Sequence, residues 1–461
     1  MTNENSSVQN IPATMAGLML CLFLSALDNS IVGTAMPKII TDLQGLHNYS
    51  LPFTAYLLFS TIVIPIAGKL SDVLGRKVVI TWGIILFIIT SVLCGLSINM
   101  PMFIVFRGLQ GACSGVLASS AFIITSELFP PQQRGKYIGI LASMHGLASL
   151  LGPVTGGVIS DFLSWHWIFF INIPIGLIAL WFIKRSIPTL QHHNSSARLN
   201  ITGVLIFLSS VFPFLFCFAE GGKLLPWMSP IFVVLLVFAV FMMIFFIRVE
   251  KKSQSPLLPS GLLQNAVFRK SAFGAAMAYV ALFGLILYIP YLLQIILHKG
   301  ATFSGLMMLP MSLSMVCGGM LGGAITTRLQ RYRLQGIINF SIAFLGMLIL
   351  WFGGNNISTP LLIFSVITIG LGIGMNFPVI NIAPQSAFSQ SQLGIVISTL
   401  EFFQIMGGVI ATSIFGNMLH SWLKGIILFS MTALLLGLIS MWRLNDNEIR
   451  EGFALQAKTR K

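Results

Sequence analysis

Three ionisable side chains lie inside stretches that are otherwise apolar. Asp28 sits in Leu27-Asp28-Asn29-Ser30-Ile31-Val32-Gly33-Thr34-Ala35-Met36-Pro37, within a hydrophobic run that begins near Pro12. Arg107 opens Arg107-Gly108-Leu109-Gln110-Gly111, and Glu401 follows Ser398-Thr399-Leu400. A charge at membrane depth costs at least ~2.5 kcal/mol, so each needs a partner, a water-filled cavity or a proton. A neighbouring guanidinium favours the charged carboxylate and burial favours the protonated one. Movement between two such environments therefore loads and releases a proton. A static ion pair that orders the helices is the competing reading.

The rest of the chain shows why these residues count as intramembrane. It has 461 residues, of which 56% are hydrophobic and 8% charged, against about 25% charged in ordinary globular proteins. Runs of ~20 apolar residues, enough to cross ~30 Å of hydrocarbon, recur along the whole length. Fourteen are expected, at 13–36, 51–68, 78–98, 101–125, 137–160, 166–184, 201–219, 229–248, 272–294, 304–327, 335–353, 360–382, 394–418 and 423–443. The fold class is an all-α polytopic membrane protein. Its helices place Arg107 about 9 Å and Asp28 about 12 Å below the same membrane face, so the two can meet.

The net charge of +14 does not point to nucleic acid, because the basic residues occupy short loops between spans. Lys38, Lys223, Lys299 and Lys424 fall on one side, Arg107 lies within a span, and the remaining Lys and Arg fall on the other. The positive-inside rule then puts both termini in the cytoplasm. The polar segment Met1–Asn10 lacks the basic start of a cleavable signal peptide, so the first span is expected to be retained. The five cysteines, Cys21, Cys94, Cys113, Cys217 and Cys317, lie in apolar runs and read as packing residues, with no disulfide or metal framework.

Several motifs refine this picture. The loop after the second span reads Gly68-Lys69-Leu70-Ser71-Asp72-Val73-Leu74-Gly75-Arg76-Lys77. It resembles the gating-loop signature of the major facilitator superfamily, with Val73 where a base is usual. The fourth span's Arg107-Gly108-Leu109-Gln110-Gly111 is similar to that superfamily's R-x-x-Q-G motif. In the fifth span Gly139, Ala148, Gly152, Pro153, Gly156 and Gly157 resemble the antiporter motif of its drug-exporting branch, with Ala148 for one glycine. The run Trp165-His166-Trp167-Ile168-Phe169-Phe170-Ile171-Asn172-Ile173-Pro174-Ile175-Gly176 resembles a segment of the fourteen-helix drug:proton antiporters, with His166 for arginine. The stretch beginning at Leu27 is similar to the same subgroup's first-helix motif.

This resemblance implies a major facilitator fold with two six-helix halves, at 1–185 and 271–461, around two inserted helices at 186–270. It also implies proton-coupled export of lipophilic, often cationic drugs by alternating access. Asp28 and Glu401 would be the coupling or substrate acids, Arg107 would modulate Asp28, and the loop of Gly68, Asp72, Gly75, Arg76 and Lys77 would gate the cytoplasmic side. No cofactor is expected, since each inward proton supplies ~2.3 kcal/mol per 100 mV, enough for about fifty-fold accumulation. The expected setting is the plasma membrane of a bacterium, as a monomer among lipids, with small lipophilic molecules and protons as partners and no nucleic acid. Export of a cellular metabolite is the main alternative. A membrane sensor or enzyme is disfavoured, because no nucleophile–base pair or metal cluster has usable spacing. His145, just before the Gly-Pro run, reads as a packed, hydrogen-bonded histidine rather than a titrating one. Ser398, Glu401 and Gln404 share a helical face that should look into the bundle. The tenth span holds no acid, which argues against divalent cations as substrates.

Overall fold

Four helices of this chain start where a short polar side chain precedes them and caps the first turn. The computed structural model describes residues 11–45, 51–187, 200–222, 225–253, 256–258, 260–298, 301–354, 357–389, 392–421 and 423–459. In it the side chains of Asn99, Asn200, Ser229 and Asn265 accept hydrogen bonds from the backbone N–H groups of Met102, Gly203, Phe232 and Phe268. Each satisfies a donor that a helix start would otherwise leave unpaired. Pro101 and Pro230 occupy the first helical turns, where a missing N–H costs nothing.

The helices are α1 (Ile11–Asp42), α2 (Leu51–Leu74), α3 (Arg76–Gly95), α4 (Met100–Leu128), α5 (Pro131–Phe162), α6 (Trp167–Phe170), α7 (Asn172–Ser186), α8 (Ile201–Glu220) and α9 (Pro230–Glu250). They continue as α10 (Ser260–Gln264), α11 (Ala266–Tyr291), α12 (Ala301–Leu329), α13 (Tyr332–Gly353), α14 (Thr359–Ile382), α15 (Leu393–Ser421), α16 (Leu423–Trp442) and α17 (Asp446–Thr459). Among the described residues, 13 stretches are long and apolar enough to cross a membrane, α6 and α7 counting as one. The fourteenth expected span falls on α5, which has 32 residues but many small and polar ones and packs along α1 and α12. The extended β-structure of the described residues is a single isolated bridge between Gly221 and Leu225.

Three details differ from the sequence expectation. The sixth span is broken at Ile171, so that Asn172 begins a new helix. α11 runs past Pro290 into a π-helical turn, Leu292–Ile296, because proline withholds the N–H that would close the preceding turn. The C-terminal tail forms the 14-residue α17, which packs beneath the short 3₁₀ turn Ala383–Ala387 that follows α14. The segment Met1–Asn10 and residues 188–199, where the inserted pair is expected to begin, lie outside the described residues.

Packing partners recur in matching pairs. α2 lies on α4 and α1 on α5; α12 lies on α14 and α11 on α15. The two groups meet where α5 touches α12 and α2 touches α15. α8 leans on α2 and α15, with Phe207 5.7 Å from Phe402 between ring centres. α9 packs on α8 and otherwise presents apolar side chains such as Ile231, Val234, Phe241 and Ile244 outward, as a lipid-facing helix should. Four cysteines are buried, Cys317 is exposed, and all five are free thiols.

Candidate functional site: a buried ion pair and a closed basic end

The structure brings Asp28 and Arg107 together. Both side chains are fully buried, α1 presenting one and α4 the other. Arg107 Nη1 donates to Asp28 Oδ2 at 2.6 Å and to Gln110 Oε1 at 2.8 Å. Asp28 Oδ1 accepts from Gln110 Nε2 at 2.9 Å and from Asn172 Nδ2 at 2.8 Å. Asn172 also donates to Ser91 Oγ of α3 at 2.8 Å. The Arg107 guanidinium lies 4.2 Å from the ring centre of Tyr56 on α2. Side chains from five helices thus form one cluster around the carboxylate, and three donors to it offset the large cost of burying it.

Gln110, Asn172 and Tyr56 are the residues that sequence reasoning missed here. Gln110 and Asn172 belonged to recognised motifs, but neither motif says which side chain they serve. Replacing Asn172 by leucine removes one donor from Asp28 and the donor to Ser91 Oγ, which keeps its own hydrogen bond to the Phe169 carbonyl. We expect this to lower stability by about 1–3 kcal/mol, read as a drop in the thermal unfolding midpoint of the purified protein.

Glu401 sits apart from this cluster, on α15. It is 8% exposed, and its Oε2 has no hydrogen-bond partner among the described residues. Ser398 and Gln404 on the same face are buried, as expected for a stripe facing the bundle, and Gln404 Nε2 reaches Asn381 Oδ1 of α14 at 3.5 Å.

The α2–α3 loop forms a second cluster. Arg76 contacts Asp72 at 2.5 Å and grips Glu127 of α4, its Nε and Nη2 lying 3.0 and 2.7 Å from Oε1. Glu127 supplies a carboxylate that no sequence motif indicated. A fork-shaped guanidinium on a carboxylate holds both orientation and distance. Gly75 carries φ +92° between the two helices, a conformation that residues with a Cβ rarely adopt. Gly68 is buried against Ser398 of α15, and a methyl group on Gly394 would lie 2.6 Å from Asp72 Oδ1. Lys77 follows in the first turn of α3, half-buried.

The antiporter-motif positions do different jobs. Gly139 meets the backbone of Gly319 on α12, Gly152 meets Ser30 on α1, Gly156 is buried, and a Cβ on Gly157 would meet nothing within 4 Å. The Pro153 side chain lies outside the described residues. Near Gly139, the buried Arg134 donates from Nη1 to Gln385 Oε1 at 2.8 Å, joining the start of α5 to the turn after α14. Contacts of α2 with α15 and of α5 with α12 therefore close the bundle at the end that carries Arg76, Arg134, Arg328 and Arg333.

His145 corrects the sequence expectation. It is exposed, and it makes no hydrogen bond among the described residues. The outward stripe of α5 is Leu147, Leu151, Val154, Val158 and Phe162. At about 100° per residue His145 lies on roughly the opposite side of the helix from that stripe, so its exposure is towards the interior of the bundle. Linear sequence could not show this, because the interior of a transporter is partly open space rather than packed core.

A bundle of apolar helices long enough to cross a membrane, with a buried ion pair between two of them, defines a polytopic membrane protein. The Major Facilitator Superfamily profile matches residues 18–412. The chain is 37% identical over 407 residues to the Bacillus subtilis multidrug transporter protein MdtP, covering 88% of this chain and 75% of that one. It is 31% identical over 441 residues to the Staphylococcus aureus multidrug efflux pump SdrM, covering 93% and 96%. Among solved structures it resembles the proton:xylose symporter XylE bound to a bromodeoxyglucose, with a TM-score of 0.70 at 14% identity and 96% coverage of both chains, a likeness of fold. The chain belongs to the major facilitator superfamily, and it is a multi-pass membrane transporter of small molecules rather than an enzyme.

Proposed function

We propose that this protein exports lipophilic and cationic drugs across the plasma membrane of a bacterium, exchanging them for protons by alternating access. The observation that carries the coupling is the fully buried Asp28–Arg107 pair, a charge arrangement whose cost needs a purpose beyond packing. The names of MdtP and SdrM support drugs as the cargo. In this reading residues 1–185 and 271–461 are the moving halves and 186–270 the inserted pair. The chain acts as a monomer, both termini are cytoplasmic, and the proton gradient takes the place of any cofactor. The Asp72–Arg76–Glu127 cluster, capped by Gly394, latches the cytoplasmic end while substrate leaves on the other side. Of the antiporter-motif positions, Gly139 and Gly152 let α5 approach α12 and α1.

Glu401 is the acid for cationic cargo, because a buried carboxylate oxygen without a partner favours a cation that brings its own charge. The test is efflux of paired cationic and neutral fluorescent substrates from everted vesicles. Glu401→Gln is expected to cut cation export at least tenfold and to spare neutral cargo. Equal loss for both would assign Glu401 to proton coupling instead.

A further inference from the structure

α13 and α16 run side by side, their seam closed by Met441 against Gly336 and Phe340 against Gly437. Both helices end at the basic boundary of the bundle. Arg333 follows the first residue of α13, and Arg443 follows Trp442, the last residue of α16. A cavity of about 520 Å³ opens between these ends, walled by Arg333, Trp442, Arg443, Asn445, Asp446 and Asn447. Trp442 is 56% exposed, and the Arg333 guanidinium lies 5.8 Å from its ring centre.

The charges at this cavity are unbalanced. Neither the Arg333 nor the Arg443 guanidinium has a carboxylate partner among the described residues. The one acid on the wall, Asp446, uses Oδ1 to accept the backbone N–H of Arg333 at 2.8 Å. Lys270 adds a third cation close by, its Nζ donating to the Arg443 carbonyl at 2.6 Å. Glu448, just beyond, accepts from Asn445 Nδ2 at 3.1 Å. On the membrane side of the cavity the same two helices expose Leu334 and Ile338, and Leu435 and Ile439.

We propose that this cavity binds the phosphodiester headgroup of an anionic phospholipid, held by Arg333 and Arg443, with the acyl chains along the exposed α13–α16 flank. Guanidinium forks match phosphate oxygens in pairs, and an exposed tryptophan at a helix end marks the headgroup layer. Basic pockets between membrane helices have this ligand chemistry. Free phosphate shares the charge but gains nothing from the apolar flank, so the lipid is the occupant. The site lies on the helices and turns that support the Gln385–Arg134 contact: α17 starts at the cavity, and its Gly452 abuts Ser386.

The test uses the full-length protein in neutral detergent, with its thermal unfolding midpoint read in mixed micelles. Dioleoylphosphatidylglycerol is expected to raise the midpoint by a few degrees over dioleoylphosphatidylcholine, and inorganic phosphate at equal concentration is expected to leave it unchanged. The pair Arg333→Gln with Arg443→Gln removes that increment. The control pair Arg328→Gln with Arg331→Gln, at the neighbouring turn, keeps it. If the first pair does not fold, Arg443→Gln alone, an exposed residue at a helix end, must lose at least half of the increment. An increment that survives in the Arg333/Arg443 variants, is lost equally in the control pair, or is reproduced by inorganic phosphate overturns the proposal.

Discussion

Asp28→Asn is expected to abolish proton-driven export and to lower stability in the same step. Asparagine removes the charge that Arg107 faces at 2.6 Å, and it turns an amide donor towards the donors of Gln110 and Asn172. Leaving one member of a buried pair uncompensated costs about 3–5 kcal/mol. Loss of transport in this variant alone is therefore ambiguous, and the informative protein is the double variant Asp28→Asn with Arg107→Met. Removing both charges should recover most of the stability while export stays at background. The measurements are efflux of a fluorescent cation from everted vesicles and thermal unfolding of the purified protein. Collapsing the pH gradient should stop export by the unmodified protein. If the double variant exports at a normal rate, the pair is a structural bolt and the proton travels elsewhere.

The second large effect is expected at Gly139. A methyl group there would lie 2.7 Å from the Gly319 carbonyl oxygen and 2.9 Å from its carbon, both backbone atoms of α12 that cannot swing aside. Gly139→Leu therefore pushes α5 away from α12 at the end now closed. Overpacking of about 1–3 kcal/mol falls on that closed state alone, which shifts its population against the open one by roughly 5–150-fold. Export should fall at least tenfold with little change in the amount of folded protein in the membrane. Gly157→Leu is the control, since nothing lies within 4 Å of a Cβ at that position. It belongs to the same sequence motif, and its export rate should stay near normal. Equal loss in both variants would show that the motif acts by something other than the approach of α5 to α12.

These two positions show what a motif in sequence conveys and what it leaves open. Gly139 and Gly157 carry equal weight in the antiporter pattern, yet one is pinned by a neighbouring backbone and the other stands in open space. The spans themselves were legible because hydrophobicity is local: each helix needs its own ~20 apolar residues whatever surrounds it. Helix caps are local in the same way, since Asn99 serves an N–H three residues away. The break at Ile171 and the helix at Asp446–Thr459 escaped, because the first depends on a turn inside an apolar run and the second on a surface beneath α14.

By itself the sequence determined the all-helical membrane architecture, the placement of Asp28, Arg107 and Glu401 inside it, and the loop around Asp72 and Arg76. Depth counted along two helices even put Asp28 and Arg107 within reach of each other. Only the tertiary structure decided who completes the site. Asn172 lies 144 residues from Asp28 in the chain and Gln385 lies 251 from Arg134, and no local rule relates such positions. The same holds for Glu127 beneath Arg76 and for the inward exposure of His145. Helix periodicity tells which residues share a face, whereas the neighbour that a face meets is set by how whole helices pack. Partners of buried charges are therefore decided last, by the assembled bundle, and those partners determine whether Asp28 is an expensive defect or a working site.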